Sequence, residues 1–327
     1  PDISPVVINQ ADELYPYEVA GWKESFIGCP LKCKFCHFTY NRKRIGEGDS
    51  YVQTELTNGN TPELTWDQLF TYGRKLGRCR VAIDGFSERL RYVYGKCISN
   101  DDIVDGVYAV GQYEGITTLL VYNIANMPDE TDEDRIELYD TLARCSPKNR
   151  VIFVLHSTPF RASANTPMQW EGISLFPDWS KMRSSVIVER PTFRAVHSWT
   201  LETPYSHFCS MAMERATVDS DRLIHALAFA RGLNSGLSEK RLRVVERNFD
   251  TSPYLREYSL DELHPVWFLN GYIPVDSLRK IAAKMRLQIR KTEAGWVPGK
   301  TSMVQHRLNE ARIFDMGLSP HLSEDAT

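Results

Sequence analysis

Three of the seven cysteines stand within eight residues, Gly28-Cys29-Pro30-Leu31-Lys32-Cys33-Lys34-Phe35-Cys36-His37, at the spacing C-x3-C-x2-C. Three thiols this close lie on one loop, and chance placement of ordinary buried cysteines is the bland alternative. Three thiolates on one loop hold three irons of a [4Fe-4S] cube and leave the fourth iron without a protein ligand. Such an iron can bind and activate a small molecule, as an open zinc site does. A structural zinc site is the competing reading, but it usually takes four ligands as two pairs. His37 sits too close to Cys36 to be an easy fourth ligand, and the chain has no second C-x2-C. The other cysteines, Cys79, Cys97, Cys145 and Cys209, share no close spacing and read as buried thiols rather than an auxiliary cluster.

An odd cysteine count argues against a disulfide framework. The first residues, Pro1-Asp2-Ile3-Ser4-Pro5, show no basic-then-apolar leader, so a secretory signal is not expected. A reducing cytoplasm is the expected compartment, as oxygen-labile clusters require. No run of 18 apolar residues occurs and the mean hydropathy is -0.36, so no membrane span is expected. With 42% apolar and 25% charged residues over 327 positions, the chain can bury a full core, which excludes wholesale disorder. A net charge of -3 excludes a generic polyanion binder.

The pattern alternates strands and helices. Residues 17–28 read as a strand running into the cysteine loop, and 64–76 as a helix. Residues 80–84 read as a strand and about 100–114 as a helix, with Ile103, Val104, Val107 and Val110 at helical spacing and Ser99 or Asn100 as cap. Thr117–Ile124 is a buried-type strand. Residues 130–144 form a helix with acidic residues in its first turn, and Val151–Leu155 is another apolar strand. Residues 157–180 read as a long ordered loop. Strands at 186–189 and 193–199 and a helix at 218–232 follow. This alternation predicts a parallel α/β architecture. Beyond about 235 the chain becomes helical and basic, with an amphipathic helix at Leu278–Ile289, and the last dozen residues are expected to fray. The division expected is a core over 1–232 and an accessory, substrate-binding region over 233–327.

The cysteine motif with Phe35 before its last cysteine resembles the signature of the radical S-adenosylmethionine (radical SAM) superfamily. Three further segments extend the likeness to the branch that contains methylthiotransferases and cobalamin-associated enzymes. They are Asp84-Gly85-Phe86-Ser87-Glu88-Arg89-Leu90-Arg91; Tyr122-Asn123-Ile124-Ala125-Asn126-Met127-Pro128-Asp129-Glu130-Thr131; and Ser157-Thr158-Pro159-Phe160 with Asn165-Thr166-Pro167-Met168-Gln169-Trp170. They lie in the order seen in that branch and cover roughly residues 18–232.

The resemblance implies a partial (β/α) barrel with the cluster at the mouth of the strands. It implies that S-adenosylmethionine chelates the open iron and that one electron cleaves its sulfonium. The 5′-deoxyadenosyl radical then takes a hydrogen from substrate. Cys29, Cys33 and Cys36 would be the iron ligands, and Phe35 would lie by the adenine. Ser87, Glu88 and Arg89 or Arg91 would be candidates for the methionine carboxylate and ribose. The same residues also read as a solvated helix start, since Ser-x-x-Leu-Arg is an N-cap pattern. Asn123 and His156, at the ends of apolar strands, are candidates to face the pocket, with a core or rim role as the alternative for each. A one-electron donor such as flavodoxin or ferredoxin is implied as a partner.

The chain departs from the branch in two places. Only 47 residues separate Cys36 from Asp84, and no clear gly-gly-glu is present. Gln53-Thr54-Glu55 or Gly59-Asn60-Thr61 would be its remnant, so either the barrel lacks a unit or the methionine amino group is held differently. Ala125 stands at the glycine of gly-leu-pro. No segment precedes Pro1 that could fold as a cobalamin domain, so methyl transfer through cobalamin is not expected. Gly295–Thr301 is one residue short of a phosphate loop, lacks a feeding strand, and reads as a turn.

From Arg279 to Arg312 there are nine Lys or Arg against Glu293 and Glu310, a local charge of +7 that leaves -10 elsewhere. Such asymmetry marks a phosphate-binding face or, more blandly, a solvated helix face. Trp296 and Phe314 could stack on bases, and Arg42, Lys43 and Arg44 add charge past the cluster loop. The main expectation is therefore a radical SAM enzyme acting on a nucleic acid base or nucleotide, in DNA or RNA. A peptide- or protein-modifying enzyme is the second reading, and a metal-stapled nucleic-acid-binding protein is the non-enzymatic one.

Overall fold

Apolar stretches with period two alternate along this chain with amphipathic stretches of period 3.6, and the result is one open sheet backed by helices. The computed structural model describes residues 18–19, 22–23, 33–36, 40, 78–96, 98–112, 116–175, 184–199, 204–232, 238–262, 264 and 273–293. The helix expected over 64–76 and the turn at 295–301 lie outside the described residues.

A short antiparallel pair, β1 (Glu18–Val19) and β2 (Trp22–Lys23), comes first. The main elements follow: β3 (Arg78–Ala82), α1 (Glu88–Tyr94), α2 (Asn100–Gly111), β4 (Thr118–Ala125), α3 (Asp132–Arg144), β5 (Val151–Pro159), β6 (Ser184–Arg190) and β7 (Phe193–Trp199). The main sheet has five strands in the order β3-β4-β5-β7-β6. β3, β4, β5 and β7 pair in parallel, whereas β6 runs antiparallel at the edge. The sheet is therefore mixed rather than wholly parallel. The reason is local: only Pro191 and Thr192 join β6 to β7, too short a link for a crossover.

The parallel strands succeed one another in a single direction without reversal. Successive crossovers of one hand then place their helices on one face of the sheet. Burial follows. Leu119, Val121 and Ala125 of β4, Val151, Phe153 and Leu155 of β5, and Phe193 and Ala195 of β7 pack with Ile103, Val107 and Val110 of α2 and Leu138 and Leu142 of α3. The alternate positions, among them Tyr122, Ile124, His156 and Thr158, are half-buried on the opposite face.

The helix starts are explained by caps. Ser99 Oγ accepts from the Asp102 amide 3.0 Å away at the start of α2. Thr131 closes a capping box with Asp134, so α3 begins at Asp132 rather than 130. β5 runs four residues further than its apolar run, through His156 and Ser157 into the stretch read as a loop. Parallel pairing with β4 on one side and β7 on the other carries it there.

Beyond the sheet lie α4 (Pro204–Glu214), a 3-10 turn (Val218–Ser220), α5 (Asp221–Gly232), α6 (Ser238–Glu246), α7 (Ser252–Leu255) and α8 (Val275–Glu293). Tyr205, Phe208 and Ala212 of α4, Leu223 and Leu227 of α5, and Leu242 and Val245 of α6 form one apolar cluster. Met285 and Ile289 of α8 pack with Leu90 and Val93 of α1 and with Met168 and Phe160 of the loop after β5. Helices on both sides of the boundary expected near 232 thus share cores with the sheet loops. The loop over 160–175 is ordered by an arginine: Arg215, 1% exposed, donates to the carbonyls of Gln169, Glu171, Tyr254 and Arg256 and lies 4.4 Å from the Tyr258 ring centroid.

Three buried histidines, His197, His207 and His264, are each pulled down to about 4, burial being the main cause. The unfolded chain takes up protons at these groups near pH 6.5, and the folded chain does so only near pH 4. Their contribution to stability is thus complete above about pH 6.5 and is lost as pH falls toward 4. The free energy of unfolding, and with it the urea midpoint, is expected to fall steadily between pH 7 and 5, the free energy by up to about 1.4 kcal/mol per pH unit for each histidine. A midpoint unchanged over that interval would contradict the burial of these rings.

Candidate functional site

Parallel sheets of this kind place ligands at the carboxyl ends of their strands. In this chain the unusual backbone collects there. Among the described residues, the four non-glycine ones with positive φ are Asp or Asn in these loops: Asp84 (φ 48°) after β3, Asn126 (56°) and Asp129 (58°) after β4, and Asn165 (58°) after β5. Asp and Asn tolerate the left-handed region, where a β-branched residue would be strained. Gly85, at φ 156°, follows Asp84, and a Cβ there would lie 3.0 Å from Cγ of Arg91.

The cysteine turn docks at this edge. The Cys36 amide donates to Cys33 O at 3.0 Å, closing the turn. The Lys34 amide bonds Tyr94 O at 2.9 Å, and Cys33 Sγ lies 3.8 Å from Gly95 O, both at the carboxyl end of α1. That end of α1 is anchored to the strand ends. Tyr94 donates its hydroxyl to Pro128 O beyond β4 at 2.5 Å, and Lys96 Nζ pairs with Asp84 Oδ2 beyond β3 at 2.6 Å. Cys33 is 5% exposed and Cys36 half-buried. Phe35 packs against the same apolar cluster as Ile124 of β4 and Tyr92 of α1. Cys29 lies outside the described residues. Among the described residues no three His, Cys, Asp or Glu side chains gather as a metal site.

Two lysines that sequence reasoning passed over flank the turn. Lys34 and Lys96 are both buried, and Lys34 Nζ donates to Val93 O at 2.6 Å. Each ammonium is held within the fold, that of Lys96 by its ion pair with Asp84. No spacing pattern announces them, because Lys96 reaches the site only through the fold.

Ser87, Glu88, Arg89 and Arg91 come together at the start of α1, buried rather than solvated. Ser87 caps α1 by accepting from the Leu90 amide at 3.2 Å and donates to Asp134 Oδ1 at 2.5 Å. Arg89 grips the same carboxylate with Nε at 3.1 Å and Nη2 at 2.5 Å and also reaches Asp129 O. Burial opposes charge on Asp134, but hydrogen bonds from Arg89 and Ser87 outweigh it and hold the carboxyl below its usual range. Glu88 accepts from the Asn100 amide at 2.8 Å. Arg91 donates to Ile98 O, Gly85 O and Asn100 Oδ1, and burial brings its guanidinium down to about 10. These side chains tie α1 to the starts of α2 and α3.

Asn123 and His156 lie on opposite faces of the sheet, because Tyr122, not Asn123, is the register partner of His156. Asn123 is buried toward the helices and accepts from the Gly85 amide at 2.7 Å, which fixes the turn after β3. His156 is half-buried on the other face, edge-on to Tyr122 with ring centroids 5.6 Å apart, and burial lowers its pKa. On the helix side, Ser157 Oγ lies 2.8 Å from His197 Nε2, with Tyr139 hydroxyl 3.4 Å from Nδ1. This chain of polar groups was not foreseen, and its buried position suits a structural role.

The remaining cysteines divide. Cys145 is fully buried and pushed up to about 12 by burial, so it is inert as a thiolate. Cys209 lies on α4, Cys97 lies outside the described residues, and only the backbone of Cys79, on β3, is described. No family model, curated protein or solved structure matches the chain. The described molecule is an α/β protein with an open mixed sheet, and among the described residues no helix is long and apolar enough to cross a membrane.

Proposed function

We propose that this protein is a radical SAM enzyme with a shortened partial barrel. In this reading Cys29, Cys33 and Cys36 hold a [4Fe-4S] cluster, and a nucleic acid base or nucleotide is the substrate. The observation that carries the reading is the docking of the Cys33–Cys36 turn on the end of α1, which Tyr94 and Lys96 tie to the loops after β4 and β3 of a sheet whose parallel strands wind in one direction. Held by these cysteines, the cluster would supply one electron to the sulfonium of S-adenosylmethionine, breaking its C5′–S bond to give methionine and a 5′-deoxyadenosyl radical.

The chain's own residues do the rest. Cys33 is buried and Cys36 half-buried, which suits a group bound on one side and approached from the other. Lys34 and Lys96 brace the turn and the end of α1, Lys34 through Val93 O and Lys96 through Asp84. Phe35, half-buried, packs against the same apolar cluster as Ile124 and Tyr92. His156, whose pKa burial lowers, presents its ring on the half-buried face of the sheet. Ser87, Arg89 and Arg91 act as positioning residues that fix α1, and with it the cysteine turn, against the strand ends.

The cofactor is checked by composition. Purified without oxygen and reconstituted with iron and sulfide, each chain is expected to hold about four irons and four sulfides. One tightly bound zinc and no iron would overturn the proposal in favour of a metal-stapled binding module.

A further inference from the structure

The cations of α8 fall into two groups. Arg279 and Arg286 are turned to the protein body. Arg279 bonds Leu260 O at 2.7 Å and Asp276 Oδ1 at 2.7 Å, and Arg286 bonds Glu171 at 2.9 Å and Glu257 at 2.8 Å. Lys280, Lys284, Arg290 and Lys291 are exposed, and none makes an ion pair among the described residues. Lys280, Lys284 and Lys291 recur at helical spacing on the side opposite the buried Leu278, Ile281, Ala282, Met285 and Ile289. They span roughly 16 Å along the axis at 1.5 Å per residue.

A solvated amphipathic helix would end there. Here the basic side also borders a groove of about 620 Å³, lined by Tyr92 of α1 and by Ala283, Lys284, Leu287, Gln288, Lys291 and Thr292. Leu287 is 47% exposed in that groove. Tyr92 is three residues from Gly95, whose carbonyl meets Cys33 Sγ. The groove therefore combines two lysines, an aromatic ring and apolar side chains, and its Tyr92 stands on the helix whose end carries the cysteine turn. Cations that track a backbone beside an aromatic on which bases stack are the chemistry that holds single-stranded nucleic acid. A duplex offers no unstacked base to such a ring.

We propose that the groove between α1 and α8 binds a single-stranded nucleic acid segment, with phosphates on Lys280, Lys284 and Lys291 and a base on Tyr92, and so delivers the strand to the cysteine turn. The inference rests on the reading above for the nature of the substrate, but not on the cluster for binding.

The test is fluorescence anisotropy with a labelled 20-nucleotide thymidine oligomer and the reconstituted full chain, over a range of salt. Each phosphate contact to a single strand contributes about -0.7 to the slope of log affinity against log salt. The double variant Lys284→Glu/Lys291→Glu is expected to bind at least tenfold more weakly with a slope flatter by about 1.4. Tyr92→Ala is expected to lose at least about fivefold with the slope unchanged. The charge-matched control Arg222→Glu/Lys240→Glu, on α5 and α6, is expected to bind as the parent does. Circular dichroism on every variant reports whether α8 still folds.

Equal weakening in the groove and control variants, or no binding by the parent, would overturn the proposal. A duplex bound as tightly as the single strand would overturn the stacking role. The same preparations are assayed for 5′-deoxyadenosine without oligomer. Loss of that product with binding intact defeats the radical SAM reading alone, and loss of binding with product intact defeats the groove alone.

Discussion

Asp134→Ala is expected to lower the free energy of unfolding by about 3–5 kcal/mol, measured by urea denaturation at pH 7. The carboxylate does three things at once. It caps α3 by accepting from the Thr131 amide at 2.8 Å, accepts the Ser87 hydroxyl at 2.5 Å, and takes two nitrogens of Arg89. Both members of the ion pair are desolvated, with side-chain exposures of 9% for Arg89 and 5% for Asp134. The pair itself is weak evidence of net stabilisation, because burying both charges costs about what their attraction returns. Removing one partner is different, since it leaves a guanidinium buried beside a neutral methyl. Adding Arg89→Met to Asp134→Ala is therefore expected to recover part of the loss. A loss below about 1 kcal/mol, or no recovery in the double variant, would mean that α1 and α3 are not joined through this carboxylate.

Cys33→Ala is expected to reduce bound iron to less than about a quarter of the parent and to lower S-adenosylmethionine cleavage by at least about 100-fold. Cys145→Ala is expected to leave both unchanged. The contrast follows from position. Cys33 sits on the turn docked at Gly95 O, at the strand ends, whereas the Cys145 thiol donates to Thr141 O in the helix layer and is held protonated by burial. Iron content is read by colorimetric assay and cleavage by mass spectrometry. Equal effects of the two substitutions would remove the special role of the cysteine turn.

The strands that frame the site were legible because their cores are runs of apolar residues. Thr117–Ile124 and Val151–Leu155 contain the observed β4 and β5 apart from their carboxyl ends. The end of β5 carries His156 and Ser157, polar residues that only sheet pairing holds in extended form. The cysteine spacing identified the turn, but not the face on which it docks. That depends on Tyr94 and Lys96 reaching Pro128 and Asp84 across the sheet edge.

The opposite facing of Asn123 and His156 depends on register between strands, which no periodicity within one strand reveals. Asp134 was legible as a first-turn acid, but its partner Arg89 lies 45 residues away. Arg215 gave no signal at all, because its partners are backbone carbonyls on two distant segments. The charge of α8 could be counted in the sequence, whereas the neighbour that turns it into a groove, Tyr92, comes from another helix.

The most direct test of the account is anaerobic incubation of the iron- and sulfide-reconstituted protein with dithionite and S-adenosylmethionine, followed by mass spectrometry for 5′-deoxyadenosine. The account predicts a brown protein that forms 5′-deoxyadenosine and a Cys33→Ala variant that does not. A colourless protein that leaves S-adenosylmethionine intact under these conditions would contradict it.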